Sequence, residues 1–211
     1  MGKGFYRKFD VGLLLVVVAI LIWSAIKPDK YSIWLSEVLP AVVVITIAIV
    51  SYKRFRLTKL SYLVIAILSI STFVGGHYTY TKVPLFDWIK DDFGFERNHY
   101  DRFGHFIKGL ITIVIREILI RKTPLTKNSW LFSISLGFSL AVGALYEIIE
   151  WLSLSISKKF GREVEDYLGM QGDMWDAQWD MTMLLIGSVL ALLTLTKLHN
   201  KMLKRHSLKN E

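Results

Sequence analysis

Residues 171–195 read QGDMWDAQWDMTMLLIGSVLALLTL, and the fold turns on how this stretch is understood. Three aspartates, Asp173, Asp176 and Asp180, lead straight into an apolar run. One aspartate there can cap a helix by accepting a backbone N–H. Three of them, spaced three and then four residues apart, cannot all be caps. On a helix they share one face, so negative charge is carried to the mouth of an apolar segment.

The rest of the chain has the same texture. Of its 211 residues 53% are hydrophobic, more than an ordinary soluble domain of this length carries. The apolar residues gather into six blocks, 11–26, 38–52, 60–76, 104–120, 130–152 and 177–196. A hydrocarbon core of ~30 Å needs ~20 helical residues, with a range of ~17–25. The first two blocks are slightly short, and the second has Glu37 and Pro40 near its start. The expectation is an all-α, polytopic membrane protein: one domain over residues 1–211, a bundle of about six transmembrane helices and no soluble module. The basic N-terminus precedes an apolar stretch without a small-residue cleavage site, which predicts an uncleaved first helix. With no cysteine in the chain, disulfide and thiolate chemistry are excluded.

Net charge is +8, and its placement predicts orientation. Short basic segments at the N-terminal arm, 53–59, 121–127 and from Lys197 onward all fall on one side of a six-helix topology. Dense Lys and Arg in short loops mark the cytoplasmic side, so both termini are expected there, in a multi-pass protein of the bacterial cytoplasmic (inner) membrane. A reporter fused at residue 122 should then register as cytoplasmic; an external signal would invert the topology. The basic tail points to anionic lipid headgroups of the bilayer as partners and not to nucleic acid.

That orientation gathers the unusual residues at one membrane level. The third helix ends outward at GGHYTY with His77 and Tyr80, and the fourth begins in RNHYDRFGHFIKG. The fifth ends at YEIIEW, and the sixth begins at DMWDAQWDM. Spacing adds a second coincidence: Asp101 and His105 are four apart, Glu147 and Glu150 three apart, and each pair lies on one helical face. The fourth-helix stripe continues through Lys108, Thr112 and Arg116, and the sixth through Met183 to Gly187. Ionisable groups in a span face the bundle interior or a wet cavity, so these faces are expected against one another.

Five carboxylates and a histidine in a low-dielectric pocket need compensation by protons, by Lys108 and Arg102, or by a metal ion. The donor set His105, Glu147, Glu150, Asp176 and Asp180 suits a divalent ion such as Mg²⁺, Mn²⁺ or Zn²⁺. Plainer readings stand beside this one. Trp151, Trp175 and Trp179 suit an aromatic belt at the membrane boundary. Asp173 suits a helix cap, and Arg116 and Glu117 suit snorkelling near a helix end. His99 reads as an exposed loop residue, and His199 and His206 as unremarkable members of a basic tail. The stretch VPLFDWIKDDFGF, 83–95, mixes aromatics with Asp and Lys and suits a short interfacial segment roofing the site.

Four motifs in order, HYTYTKVP, RNHYDRFGHF, YEIIEW and QGDMWDAQWDM, resemble the YjdF-like bacterial inner-membrane proteins over roughly residues 75–190. That resemblance implies membrane location and helical topology and carries no activity. A more distant likeness is to VanZ-like proteins, whose pattern would fall on Asp101 and His105, Glu147 and Glu150, and Asp176 and Asp180. Here Glu150 replaces a glutamine and Asp180 an asparagine, which makes the pocket more acidic. The likeness hints at the cell envelope as compartment.

The leading expectation is a metal-dependent, membrane-embedded hydrolase acting on an envelope or lipid-linked substrate. Asp101, His105, Glu147, Glu150, Asp176 and Asp180 would supply ligands and a general base. His77, Tyr80, Arg102, Lys108 and Gln178 would contact substrate. Metal-activated water is the simplest chemistry for these residue types. The alternatives are a small ion- or proton-coupled transporter using the same acids, and an accessory protein held together by a structural ion-pair network.

Overall fold

The computed structural model describes residues 3–159 and 171–207. Among them the chain forms helices throughout: α1 (Lys3–Ser24), α2 (Tyr31–Ser51), α3 (Lys59–His77), α4 (Pro84–Phe93), α5 (Tyr100–Lys108), α6 (Ile111–Lys122), α7 (Ser129–Lys159) and α8 (Asp176–Ser207). The polar connection expected over 157–173 lies largely outside the described residues. Four segments are long and apolar enough to cross a membrane: Tyr31–Ser51, Lys59–His77, Ser129–Ile156 and Asp176–Arg205.

Apolar and polar residues are distributed inside out. Leu15, Ile47, Val50, Leu145, Ile149 and Leu193 are exposed, whereas Glu37, Asp101, His105, Glu117, Asp180 and His199 are buried. Water would penalise that arrangement, and lipid around the bundle favours it. Helix α3 is central, with α1, α2, α5 and α6 packed on it, and α8 packs against α5, α6 and α7. Phe73 joins Val17, Val38 and Ala66 in one apolar core, and Leu60, Ile113, Ala191 and Leu192 form another.

The fourth block, expected as one helix over 104–120, is divided at Gly109–Leu110. Leu110 N–H reaches Ile107 O at 2.9 Å and Ile113 N–H reaches Leu110 O at 3.0 Å, three-residue bonds that tighten the helix to 3₁₀ geometry. The cause lies on α8. A Cβ on Gly109 would fall 2.5 Å from Ser188 N, and one on Gly187 would fall 2.0 Å from Phe106 O. The two backbones touch there, as small residues allow. Ser188 Oγ seals the contact by donating to Gly109 O at 3.2 Å.

The expected segment over 83–95 contains α4, whose residues are none of them buried. Phe86 anchors it, its ring 5.2 Å from Tyr100 and 5.3 Å from Phe103. Asn98 Nδ2 ties down the first turn of α4 by donating to Val83 O at 3.2 Å and Asp87 Oδ1 at 2.9 Å.

Snorkelling fails for Arg116 and Glu117, and the tail histidine His199 is not idle. All three are buried at the far end of the bundle. Glu117 accepts from Thr58 N at 2.9 Å, Thr58 Oγ1 at 2.7 Å, Ser61 Oγ at 2.6 Å and Arg121 Nη1 at 2.8 Å. Arg116 contacts His199 Nδ1 at 2.9 Å, and His199 Nε2 lies 3.3 Å from Glu117. A carboxylate thus sits at the N-terminus of α3, where free N–H groups and the helix dipole favour it, and clamps α3, α6 and α8 together.

Candidate functional site

The opposite end of the bundle assembles the polar faces of α5, α7 and α8. Asp101 and His105 project from the first turns of α5, with His105 only 1% exposed. Its Nε2 lies 3.7 Å from Asp101 Oδ1 and its Nδ1 lies 3.5 Å from Glu147 Oε1 on α7. Lys108 Nζ stands 2.8 Å from His105 Nε2. With the ammonium donating, Nε2 is the acceptor and the ring proton sits on Nδ1, toward Glu147. Asp180 enters from α8: one donor atom of each of Asp101, His105 and Asp180 lies within 4.8 Å of the others, and all three residues are buried.

Lys108 is the cation that acts on Glu37, Asp101, Glu147, Glu150 and Asp180 alike. Arg97 also acts on Asp101, and two cations still fall short of five carboxylates. Its Nζ also sits 4.1 Å from the Tyr146 ring centroid and 5.9 Å from that of Tyr80. Several buried acceptors and donors here, His105 Nδ1, Glu147 Oε1, Asp180 Oδ1 and Tyr80 Oη, have no hydrogen-bond partner. Buried polar atoms are normally paired, so this concentration sets the pocket apart from the rest of the bundle interior.

Tyr80 reaches the site through an unusual turn. Thr79 and Tyr80 have φ of +57° and +58°, a left-handed conformation that side chains other than glycine adopt at some cost. The turn folds the Tyr80 ring back over Gly75, where a Cβ would lie 2.5 Å from it.

The expected residues divide into groups. Asp101, His105, Lys108, Glu147, Asp180 and Tyr80 come together, and Glu150 lies within electrostatic reach of Glu37, Asp101 and Glu147. Asp176 sits at the edge, where Arg97 Nη1 binds its Oδ1 at 2.7 Å. Arg102 turns to the rim, pairing with Asp173 and lying 5.2 Å from the Trp179 ring centroid. Gln178 is exposed. His77 is elsewhere: its Nδ1 binds Ser24 O at 3.0 Å and its ring lies against Trp23, so it ties α1 to the end of α3.

Asp173 bonds as a capping aspartate does at the start of α8, and it does more. It precedes the helix, accepts from Trp175 N–H at 2.9 Å, and binds Arg97 and Arg102. That N–H and the two guanidiniums hold its carboxyl below the usual carboxylate value, so it is firmly charged. His99 is half-buried rather than exposed, edge-on to Phe95 at 5.2 Å.

Sequence reasoning missed Glu37, Tyr146 and Arg97 as members of this region. Glu37, on α2, is buried and accepts from Tyr146 Oη at 3.0 Å. Its signal was present, since a lone acid in an apolar span is a polar-site marker by itself. Arg97 lies outside any helix, and no periodicity could flag it.

A family model described as "Predicted membrane protein (DUF2238)" matches residues 9–201. The Inner membrane protein YjdF of Escherichia coli (strain K12) is 36% identical over 195 residues, covering 92% of each chain. No solved structure matches significantly. The chain belongs to this family of predicted membrane proteins.

Proposed function

We propose that this member of the predicted membrane protein family is a multi-pass inner-membrane hydrolase. Its acidic pocket holds a divalent metal and acts on an envelope or lipid-linked substrate. In this reading α5 and α6 together make the fourth of six crossings, and both termini are cytoplasmic. The observation that carries it is the convergence of Asp101, His105 and Asp180 donors within 4.8 Å in a buried pocket. Donors bonded tetrahedrally to one ion at ~2.1 Å lie ~3.4 Å apart, so the widest pair of the trio must close by up to roughly 1.4 Å when an ion binds.

Roles follow from the geometry. Nε2 of His105 faces Asp101 and is the ligating nitrogen, while Glu147 faces Nδ1 and fixes the tautomer, a familiar carboxylate–histidine arrangement around metals. Lys108 leaves Nε2 on its flexible stem when the ion arrives. The bound ion would lower the pKa of its water and supply the nucleophile. Glu150 is the general base, and Asp176 with Arg97 closes the rim. The VanZ-like spacing of these acids favours the same envelope setting.

Elemental analysis of detergent-purified protein should find about one divalent ion per chain, lost in Asp101→Asn and Asp180→Asn. Chelator should lower the Tm of wild type and leave Asp180→Asn unchanged. A wild type that is metal-free and indifferent to chelator overturns the proposal. If such protein nonetheless moved protons in proteoliposomes, the acids would serve as a relay. Buried hydroxyls support that second reading: Ser139 and Ser188 pair at 2.9 Å and Thr112 Oγ1 donates to Ser135 O at 3.3 Å, along the way from the site to Glu117.

A further inference from the structure

We propose that Arg97, Arg102 and the Trp175 N–H form a seat for a phosphate group of the substrate, and that the Asp173 carboxylate fills that seat in this structure. The inference rests on the hydrolase reading for what the phosphate is attached to, and on separate residues for its binding.

The Asp173 carboxylate is surrounded as an anionic ligand would be. Its Oδ2 accepts from Arg97 Nη1 at 3.2 Å and from Arg102 Nη2, and its Oδ1 accepts from Trp175 N–H at 2.9 Å. Two guanidiniums and a backbone N–H ahead of a helix are the donors that bind phosphate elsewhere. The seat is also under-filled. Arg102 Nε is buried and has no hydrogen-bond partner. A phosphate monoester offers three terminal oxygens and can satisfy a donor that a two-oxygen carboxylate leaves unmet.

The placement suits a substrate spanning both regions. Arg97 Nη1 touches Asp176 at 2.7 Å as well as Asp173, so the seat adjoins the acidic pocket through one guanidinium. Asp180, one turn further along α8, stands ~6 Å beyond Asp176 at 1.5 Å per residue. A phosphate in the seat would hold its neighbouring ester bond within reach of the Asp101–His105–Asp180 donors.

Asp173 is tethered close by. Gln171 and Asn98 exchange reciprocal bonds, Asn98 N–H to Gln171 Oε1 and Gln171 Nε2 to Asn98 O, both at 2.8 Å. The loop therefore docks on the same segment that supplies Arg97, and its carboxylate competes at a high effective concentration. A seat that its own side chain occupies nine-tenths of the time binds an external anion ~10-fold more weakly than an open one.

The test measures phosphate affinity with chelator present, so that it does not depend on a metal. Inorganic phosphate is titrated calorimetrically into detergent-purified wild type, Asp173→Asn and Asp173→Ser. Asparagine keeps the shape of the side chain, and serine keeps an acceptor for the Trp175 N–H. Both should bind phosphate at least ~10-fold more tightly than wild type, and adding Arg102→Gln should erase the gain. In parallel, the Tm of each protein is read in phosphatidylcholine nanodiscs with and without phosphatidic acid. A rise with phosphatidic acid in the Asp173 variants supports a lipid phosphate; a response to inorganic phosphate alone supports a soluble phosphate compound. Equal phosphate affinity in folded wild type and both variants, with no nanodisc response, overturns the seat. If elemental analysis of the protein as purified finds no metal and chelator leaves its Tm unchanged, the hydrolase reading fails, and a gain in phosphate affinity would still leave the seat standing.

Discussion

Gly187→Ala should break the contact between α5–α6 and α8 and with it the acidic site. The added Cβ would lie 2.0 Å from Phe106 O and 3.0 Å from Phe106 C. A carbon and a carbonyl oxygen come to rest at ~3.3 Å or more, so the helices must part by more than about 1 Å. Neither obstacle is a flexible side chain that could step aside. Overpacking of a tight core costs ~1–3 kcal/mol and sometimes more, and backbone against backbone belongs at the top of that range. At ~2–4 °C per kcal/mol for a chain of this size, Tm should fall by roughly 6–12 °C. Separation would also pull Asp180 from Asp101 and His105, so the metal binding proposed above should be lost with stability. Gly137→Ala is the control, because a Cβ there meets nothing within 4 Å. A Gly187→Ala protein as stable as Gly137→Ala would mean that the helices do not touch here.

Glu117→Ala should be comparably damaging, although it lies far from the candidate site. The residue is 0% exposed. Removing it takes the carboxylate from Arg121 and the buried His199 and leaves the Thr58 N–H and the Thr58 and Ser61 hydroxyls without their acceptor. Breaking a buried ion pair from one side costs about 3–5 kcal/mol, so a Tm loss on the order of 10 °C is expected. Adding His199→Ala should cost much less than the two single losses combined, because both residues belong to one network. Thermal unfolding of the three proteins in detergent checks this. A Glu117→Ala protein within a degree of wild type would restore the picture of a charge merely reaching toward solvent.

Most helices were legible because a membrane crossing needs an apolar run of fixed length. α3 coincides with its run to within a residue and α7 and α8 start with theirs, whereas α2 begins seven residues early and α8 continues eleven residues past its run. The division at Gly109 was not legible, since its cause is a backbone on α8 that lies distant in sequence. Asp101, His105, Glu147 and Asp180 were legible as neighbours because helical spacing placed each on an inward face. Arg116, Glu117 and His199 were misread for a related reason. Their position near helix ends suggested water, and only the rotation of α6 and α8 into the bundle shows that they point at each other. Glu37 was passed over as an interruption in a span, when its burial against Tyr146 makes it a member of the site's acid set.

The polar α5–α6 pair has a consequence for how the protein is made. Between Asp101 and Glu117 it carries Asp101, Arg102, His105, Lys108, Arg116 and Glu117. An ionised Asp, Lys or Arg at mid-bilayer opposes insertion by ~2.5–3.5 kcal/mol. Facing lipid alone, this segment would slip back toward water. Glu117 meets Thr58 and Ser61 at the start of the earlier α3, but Glu147 and Tyr146 on α7 and Asp180, Ser188 and His199 on α8 are synthesised later. Stable insertion of this segment is therefore expected to depend on α7 and α8, so truncation before α8 should leave it poorly inserted.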